Sequence, residues 1–325
     1  MKIEQKIRDE SISSKKKIIR FVSKNLKEYP DSKKEVLKSL QNNLQLCEKT
    51  FLFNQIAKFY KLDFSETFPI SIASELLMQA AFISDDVLDN NTVRNNKKNL
   101  LFCSGQNSAL LISAILYGIY FKIAGSTTNK KINNLFIDAY IDLNYGQYLT
   151  EKFNDYSKLS LKQLDYIAFL KCGKLMSNSA SIPAILVEED DSVVKKLGSY
   201  GKLVGIALQH RDDILEFLPS KYSIGKPVLQ DLFNNQPNLV LYFMFQGLSS
   251  KRKSTFTHKS FIRILNEMTK DEKNFLEFIK DSSYMLNAKN RLSDICLEAE
   301  LLGNYLPQKF DYKVLKDLSQ LIANV

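Results

Sequence analysis

The chain has 325 residues, 45% of them apolar, which is enough for one large hydrophobic core. Glycine (11) and proline (7) are scarce, and this favours long helices over the many turns of a β-sandwich or barrel. The formal net charge of +9 is compatible with an anionic membrane or a polyanionic substrate. No zinc-finger spacing or arginine-rich tract occurs, so we expect no nucleic-acid partner.

The N-terminus and the cysteines indicate where the protein resides. The first residues, MKIEQKIRDES, are charged where a signal peptide needs an apolar core. The four cysteines, at positions 47, 103, 172 and 296, form no CxxC pair, so we expect reduced thiols and a cytoplasmic location. The longest apolar run, 109–121, is shorter than the roughly 20 residues that span a membrane. It therefore predicts a buried helix and no transmembrane segment.

Helical spacing of apolar residues recurs along the chain, with polar breaks between the segments. We expect residues 1–325 to form a single all-α domain, in which the N-terminal 45 or so residues are flanking amphipathic helices. Residues 250–325 alternate charged and apolar positions, as outer helices do. Four apolar segments lead directly into a polar motif: 68–81 into SDDVLD, 135–143 into Gly146-Gln147, 161–170 into Lys171-Cys172-Gly173, and 204–208 into RDDILEF.

Two acidic clusters, DDVLD at 85–89 and DDILE at 212–216, each end a strongly apolar helical segment. The first and last acids of each cluster are four residues apart and share one helix face. Like charges at this spacing destabilise a helix by a few tenths of a kcal/mol, so a cation should offset them. Mg²⁺ suits such sites because it binds one or two carboxylates together with waters and phosphate oxygens. One DDxxD cluster occurs readily by chance, but two on apolar helices predict a magnesium–diphosphate site.

Six elements in order resemble the trans-prenyl diphosphate synthase (polyprenyl synthetase) family over residues 45–245. They are PISIASELLMQAAFISDDVLDNNTVR, which ends in Arg94; Gly146-Gln147; Lys171-Cys172-Gly173, with Cys in place of Thr; GIALQHRDD at 205–213; Gly225-Lys226; and Asp231-Leu232. The resemblance implies an isoprenoid-synthase-type antiparallel helix bundle around a deep central cavity, usually homodimeric. It also implies a Mg²⁺-dependent prenyltransferase that ionises an allylic prenyl diphosphate, and peripheral membrane contact for product release.

The resemblance also assigns roles to individual residues. It implies three Mg²⁺ ions held by a metal set of Asp85, Asp89, Asp212 and Glu216. The residues that orient these ligands or hold their waters are Asp86, Asp213 and Gln209. The cations that contact the departing diphosphate are Arg94, Lys171 and Lys226. Ala80 and Ala81 would wall the prenyl pocket, and their small side chains predict room for C15 or C20 chains.

The chain departs from the family pattern where the second substrate, isopentenyl diphosphate, would bind. Four cationic features of the family are reduced or lost: the GGKxxRP stretch keeps only Lys49, and the family His, second Arg and later Lys are Met78, Asn95 and Gln236. Neutral side chains cannot replace bidentate arginine–phosphate contacts.

Three interpretations of this loss remain open. The enzyme is a prenyl-synthase-like terpene synthase (cyclase), or it prenylates another acceptor such as a peptide, or it elongates isopentenyl diphosphate held by Lys49, Lys97 and Lys98. A non-catalytic partner of a heteromeric synthase is a further alternative. The intact acidic clusters argue against it, because a scaffold has no need of metal ligands.

Overall fold

The computed structural model describes residues 3–44, 46–218, 229–252, 256–303, 305 and 312–325, apart from the side chains of 251 and 252. The prediction of an all-α protein is confirmed, since the described residues are almost entirely helical. The elements are α1 (Ile3–Asn25), α2 (Pro30–Asn43), α3 (Glu48–Phe59), α4 (Phe64–Leu88), β1 (Val93–Arg94), β2 (Lys97–Lys98), α5 (Leu100–Ser126), α6 (Lys130–Lys152), α7 (Leu161–Ala168), a π-helical turn (Phe169–Gly173), α8 (Lys174–Leu186), α9 (Asp191–Leu215), α10 (Gln230–Phe233), α11 (Leu239–Arg252), α12 (His258–Met268), α13 (Glu272–Lys280), α14 (Ser283–Gly303) and α15 (Lys313–Ala323).

Helices α4 and α9 are central, as their apolar character predicts. Every residue of α4 from Ser71 to Ala81 is buried. Helix α4 packs chiefly against α5, and helix α9 packs chiefly against α8 and α14.

Two glycines bring α9 unusually close to its neighbours. A methyl group added at Gly201 would lie 2.3 Å from the backbone oxygen of Met176, and one at Gly205 would lie 2.5 Å from the Cα of Gly173. The second acidic cluster therefore follows a helix that is pressed against the π-helical turn.

Among the described residues, two helices are long and apolar enough to cross a membrane, α4 and α5. The apolar window of α4 is 72% buried within the protein, as in a core helix, whereas that of α5 is only 44% buried. The helix predicted as buried over 109–121 is therefore buried on one side and exposed on the other, where Leu111 is 66% exposed. Helix α5 is longer than the predicted 109–121 run because it also includes residues 100–108 before that run and 122–126 after it.

A short antiparallel hairpin, β1–β2, joins α4 to α5 and was not predicted. Its turn is Asn95-Asn96, and both residues adopt a positive φ (54° and 58°), which asparagine tolerates better than most residues. The Asn95 side-chain amide donates to the backbone oxygens of Asn42 (3.2 Å) and Asn43 (3.3 Å). The hairpin is thereby fastened to the end of α2, beside the mouth of the main cavity.

Candidate active site

The C-terminal ends of α4 and α9 line one cavity of about 390 Å³. The walls also include residues of α3, the hairpin, α5, α6, the π-helical turn and α10. Most of the predicted site residues come together here: Ala81, Asp85, Asp89, Arg94, Lys171, Gln209, Asp212, Asp213 and Glu216. Asp86 and Ala80 do not line the cavity, and Lys226 lies outside the described residues.

The two neighbouring aspartates of the first cluster point in different directions, as consecutive helical residues do. Asp85 lines the cavity together with Asp89, whose Oδ1 accepts a hydrogen bond from Gln236 Nε2 at 2.6 Å. Asp86 is instead buried and forms an ion pair with Arg94, which donates from Nη2 (2.7 Å) and Nε (3.0 Å). The sequence predicts that Asp86 orients the metal ligands or holds their waters, and this role stays a prediction. Its carboxylate is used to hold Arg94.

Arg94 lines the cavity, but its guanidinium is already engaged on two sides. Nε and Nη2 donate to Asp86, and the guanidinium lies over the ring of Phe82, 4.5 Å from the ring centre. A guanidinium fixed by a carboxylate in a buried pair offers less charge to a diphosphate than an unpaired one does. The structure therefore gives Arg94 a positioning role in addition to the phosphate contact that was predicted.

The second cluster is fixed by the start of α11. Asp213 is buried and accepts hydrogen bonds from the backbone nitrogen of Leu239 (2.9 Å) and from Gln209 Nε2 (3.1 Å). Asp212 lines the cavity. Asp213 and Gln209 thus have the geometry of residues that orient the end of α9.

Glu216 belongs to a compact polar group that the sequence did not reveal. It accepts hydrogen bonds from the backbone nitrogen of Asp231 (2.7 Å) and, through its other oxygen, from Asn238 Nδ2 (3.2 Å). The same amide contacts the Asp231 carboxylate at 3.1 Å. Burial and the neighbouring Asp231 carboxylate raise the pKa of Glu216 well above its ordinary value. Asp231 was noticed only as part of a motif, and nothing in the sequence indicated Asn238.

Lys171 projects from the π-helical turn, and such turns are frequent at functional sites. Burial lowers the pKa of Lys171, but the nearby Asp85 and Asp231 carboxylates outweigh burial and raise the pKa above its usual value. Lys171 is therefore a permanent cation beside the first cluster. The next residue, Cys172, donates through Sγ to Gln209 Oε1 at 3.5 Å, and burial raises its thiol pKa to about 11. The cysteine thus stays protonated and provides a donor, as a threonine would.

The apolar wall differs from the prediction in two respects. Ala81 lines the cavity, whereas Ala80 is fully buried and its carbonyl accepts a hydrogen bond from Ser113 Oγ at 2.8 Å. Tyr117 of α5, which lies in the apolar run 109–121 but was not singled out from the sequence, lines the same cavity. An aromatic ring from α5 therefore contributes to the wall of the cavity together with Ala81.

The residues that depart from the family pattern also line this cavity: Lys49, Met78, Asn95 and Gln236. Lys97 and Lys98 do not, because both are exposed on β2. The interpretation that Lys97 and Lys98 hold isopentenyl diphosphate together with Lys49 stays a prediction.

The carboxylates that line the cavity suit a metal ion that is bound by the protein and by a ligand together. Within the described part of the chain, no three His, Cys, Asp or Glu side chains converge closely enough to bind a metal by themselves. Asp85 and Asp89 on one helix and Asp212 on another nevertheless line the same space. Mg²⁺ completes a small protein ligand set with waters and phosphate oxygens, so this hard oxygen donor set suits it.

Comparisons with known proteins agree with the geometry. A family model described as polyprenyl synthetase matches residues 48–280. A short chain isoprenyl diphosphate synthase of Methanocaldococcus jannaschii is 27% identical over 277 residues, which are 82% of this chain and 83% of that protein. A geranylgeranyl diphosphate synthase of Saccharolobus solfataricus is 26% identical over 270 residues, covering 80% and 72%.

Solved structures establish the same fold. The chain superimposes on a geranylgeranyl pyrophosphate synthase of Lactobacillus brevis with a TM-score of 0.81, 20% identity and 96% coverage of both chains. For a heptaprenyl diphosphate synthase of Staphylococcus aureus the TM-score is 0.82, with 19% identity and coverage of 97% of this chain and 98% of that one.

The Asp86–Arg94 pair yields a stability prediction. Arg94→Ala should lower the free energy of unfolding by about 3–5 kcal/mol, because it leaves a buried carboxylate without its partner. Lys131→Ala, which breaks the exposed pair with Asp191, should cost at most about 1 kcal/mol and is the matched control. Urea unfolding followed by circular dichroism measures both. Equal losses in the two variants would show that Asp86 does not depend on Arg94.

Proposed function

The chain belongs to the polyprenyl synthetase family and is a prenyltransferase that acts on an allylic prenyl diphosphate, and we propose that it ionises this substrate between the ends of α4 and α9. One observation carries the proposal. Asp85 and Asp212, 127 residues apart in sequence, line a single cavity together with the Lys171 ammonium group. Carboxylates for metal ions and a buried cation for phosphate are the groups that this reaction requires.

The proposed cofactor is Mg²⁺, held as three ions by Asp85, Asp89 and Asp212. When bound, Mg²⁺ stabilises the negative charge that develops on the diphosphate as the allylic C–O bond breaks. Glu216 would complete this metal set, and the hydrogen bonds that its two oxygens accept from the protein hold it at the end of α9. Lys171 adds a fixed positive charge on the side of the first cluster, where the same developing charge lies.

The remaining residues position these groups and keep the cavity dry. Asp213 and Gln209 hold the end of α9 against α11 and the π-helical turn, so that Asp212 faces the substrate. The apolar side chains of Ala81, Phe82 and Tyr117 surround the space for the prenyl chain. An apolar wall excludes the water that would otherwise capture the allylic cation.

The outer faces of α5 and α6 support a homodimer. Four large apolar side chains on these helices are strongly exposed: Leu111 (66%), Ile141 (56%), Tyr148 (54%) and Tyr145 (46%). An apolar face of this kind on adjacent helices usually marks an interaction surface. We propose that a second copy of the chain covers it, and that the dimer is cytoplasmic, with peripheral membrane contact when the apolar product leaves.

Loss of either cluster should abolish most of the activity. Asp85→Ala and Asp212→Ala should each lower turnover by at least ~10²-fold, because each removes a metal ligand and about 2.7 kcal/mol of transition-state stabilisation. The readout is pyrophosphate release from farnesyl diphosphate with Mg²⁺. Asp294→Ala, at an exposed position of α14, is the control and should retain full turnover. Near-normal turnover in either cluster variant would refute the assignment of the metal ligands.

Tyr117 should limit the length of the prenyl chain. Tyr117→Ala should shift the preferred substrate toward longer allylic diphosphates, and Ala81→Phe should shift it toward C10, because the two residues line the same wall. The measurement is kcat/KM with geranyl, farnesyl and geranylgeranyl diphosphates. Tyr29→Ala, at an exposed tyrosine, controls for loss of a ring. Unchanged preference in both variants would place the prenyl chain elsewhere.

The proposed dimer can be tested by measuring the molecular mass of the protein in solution. Leu111→Glu and Ile141→Glu together should convert a dimer into a monomer, because buried unpaired charges oppose association. Leu297→Glu, a similarly exposed leucine on α14, should leave the mass unchanged. Light scattering after size-exclusion chromatography gives the mass. A parent protein that is monomeric at micromolar concentration would contradict the proposal.

A further inference from the structure

Helix α1 presents a face of exposed cations to the solvent. Residues 11–27 contain six basic residues and no acidic one. Four of the six lie on one side of α1, since helical residues three, four and seven apart share a face: Lys16, Lys17, Arg20 and Lys24. All four are exposed, and none forms an ion pair with a carboxylate in the described part of the chain. We name these four residues the basic face, which is about 12 Å long at the helical rise per residue.

Apolar side chains that are open to water border the basic face. Ile12, one turn before Lys16, is 58% exposed, and Tyr29, shortly after the end of α1, is 59% exposed. The Phe64 ring is 41% exposed, and the Lys17 ammonium group lies 4.1 Å from its centre. The opposite side of α1 is already packed into the core. Cations next to exposed aromatic and aliphatic side chains are typical of a surface that contacts lipid.

A second cavity, of about 280 Å³, lies beside the basic face, between α1, α3 and the start of α4. Its lining includes Lys17 and Ser14 of α1 and Asn54 of α3. Ser14 and Asn54 are buried, yet neither side chain has a hydrogen-bond partner among the described residues. Buried polar groups usually have partners, so a hydroxyl and an amide that face a cavity without one are free to bind a ligand. Their O–H and N–H groups, together with the Lys17 ammonium group, suit the oxygen atoms of a phosphate group.

Glu10 also lines this second cavity, but its charge is balanced within the protein. Its Oε1 atom accepts hydrogen bonds from Lys58 Nζ at 2.9 Å and from Gln55 Nε2 at 3.0 Å. Lys17, in contrast, has no carboxylate partner in the part of the chain that the structure describes. The second cavity therefore carries a net positive charge, as the basic face does.

The basic face begins near the mouth of the main cavity. Lys15, adjacent to Lys16, donates from Nζ to the backbone oxygen of Gln41 at 2.6 Å, close to the end of α2. Burial and, after it, the ammonium group of Lys97 on the hairpin lower the pKa of Lys15. The hairpin is fastened to the same end of α2, beside that mouth. A membrane in contact with the basic face would therefore lie next to the opening of the candidate active site.

From these observations we propose that the basic face docks on an anionic lipid membrane and that the phosphate head group of a lipid occupies the second cavity. Clusters of about four or more lysine and arginine residues are attracted to anionic lipid surfaces. A nucleic acid would make no use of the exposed Ile12 and Tyr29 side chains, so a lipid surface is the better match. The inference rests on the proposed function for its purpose, since the apolar chain of a prenyl product partitions into a bilayer. The docking itself requires no catalysis.

Sedimentation with lipid vesicles tests the docking. The full chain is mixed, at about 0.1 M salt, with vesicles of phosphatidylcholine alone or of phosphatidylcholine with about one third phosphatidylglycerol. We expect at least about tenfold tighter partitioning onto the anionic vesicles, and loss of this preference at about 1 M salt, where surface charges are screened. Equal partitioning onto both kinds of vesicle, or no binding to either, overturns the inference.

A charge-reversal variant locates the docking surface. Glutamate in place of all four residues of the basic face should weaken partitioning onto the anionic vesicles by at least about tenfold. The matched control makes the same change of charge at four exposed cations of α12 and α13, and it should bind as the parent does: Lys259→Glu, Arg263→Glu, Lys273→Glu and Lys280→Glu. Equal losses in the two variants overturn the inference. The comparison of the two kinds of vesicle with the parent protein decides the matter if the first variant does not fold.

The same variant separates this inference from the proposed function. None of the four residues of the basic face lines the main cavity, so the variant should release pyrophosphate from farnesyl diphosphate at the parent rate when no vesicles are present. Weaker membrane binding with unchanged release supports the docking. A parent protein that binds anionic vesicles but releases no pyrophosphate would refute the proposed function and leave the docking intact.

Further measurements test the second cavity and the choice of partner. Asn54→Leu should weaken partitioning onto the anionic vesicles by at least about threefold, because it removes a donor from the cavity, whereas Asn290→Leu, at an exposed position of α14, should not. Unchanged partitioning of a folded Asn54→Leu variant refutes the head-group site. Titration with glycerol 3-phosphate distinguishes a lipid from a free phosphate ester, and saturable micromolar binding of the free ester overturns the inference. Tighter binding of double-stranded RNA than of the anionic vesicles overturns it as well.

Discussion

The structure depends on a concentration of negative charge at one end of a helical cavity. Asp85 and Asp89 on α4, Asp212 and Asp213 on α9, and Asp231 beside them all border the same space. Bringing several carboxylates together among apolar helices costs free energy, and the packing of the helices has to offset that cost. The glycines of α9 allow that packing, and the π-helical turn places Lys171 beside the carboxylates. The acidic end is thus built to receive cations and a polyanion together.

The two ends of the cavity differ in charge. The acidic end has fixed carboxylates and a buried cation, and it suits a metal–diphosphate complex. At the other end, the Glu75 carboxyl group accepts hydrogen bonds from the first backbone amides of α3, and the Lys49 ammonium group lies near it. Met78 lines the cavity on the same helix as Glu75, whereas Gln236, another departure from the family pattern, donates to Asp89 at the acidic end.

Local sequence patterns predicted much of the fold and of the candidate site, and the features that they did not predict depend on contacts between residues far apart in the sequence. The all-α fold, the central helices and the convergence of the two clusters follow from helical periodicity and motif order. The different directions of Asp85 and Asp86 could have been foreseen, since adjacent helical residues diverge, but the pairing of Asp86 with Arg94 depends on the unpredicted hairpin. The capping of α3 by Glu75 could not have been foreseen, because the Lys49 backbone amide and the Glu75 side chain that form it are 26 residues apart in the sequence. The same holds for Tyr117, whose place beside Ala81 depends on how α5 packs on α4. Lys226 stays a prediction.

The central claim is that the acidic end binds metal and diphosphate only as a unit. Thermal unfolding measured with Mg²⁺ alone, inorganic pyrophosphate alone and both together tests this most directly. A ligand that binds only the folded state at 100 times its Kd stabilises it by about 2.7 kcal/mol, which raises Tm by several degrees. We predict a rise of that size with both ligands and little change with either alone. A full rise with pyrophosphate in the absence of Mg²⁺ would contradict the account.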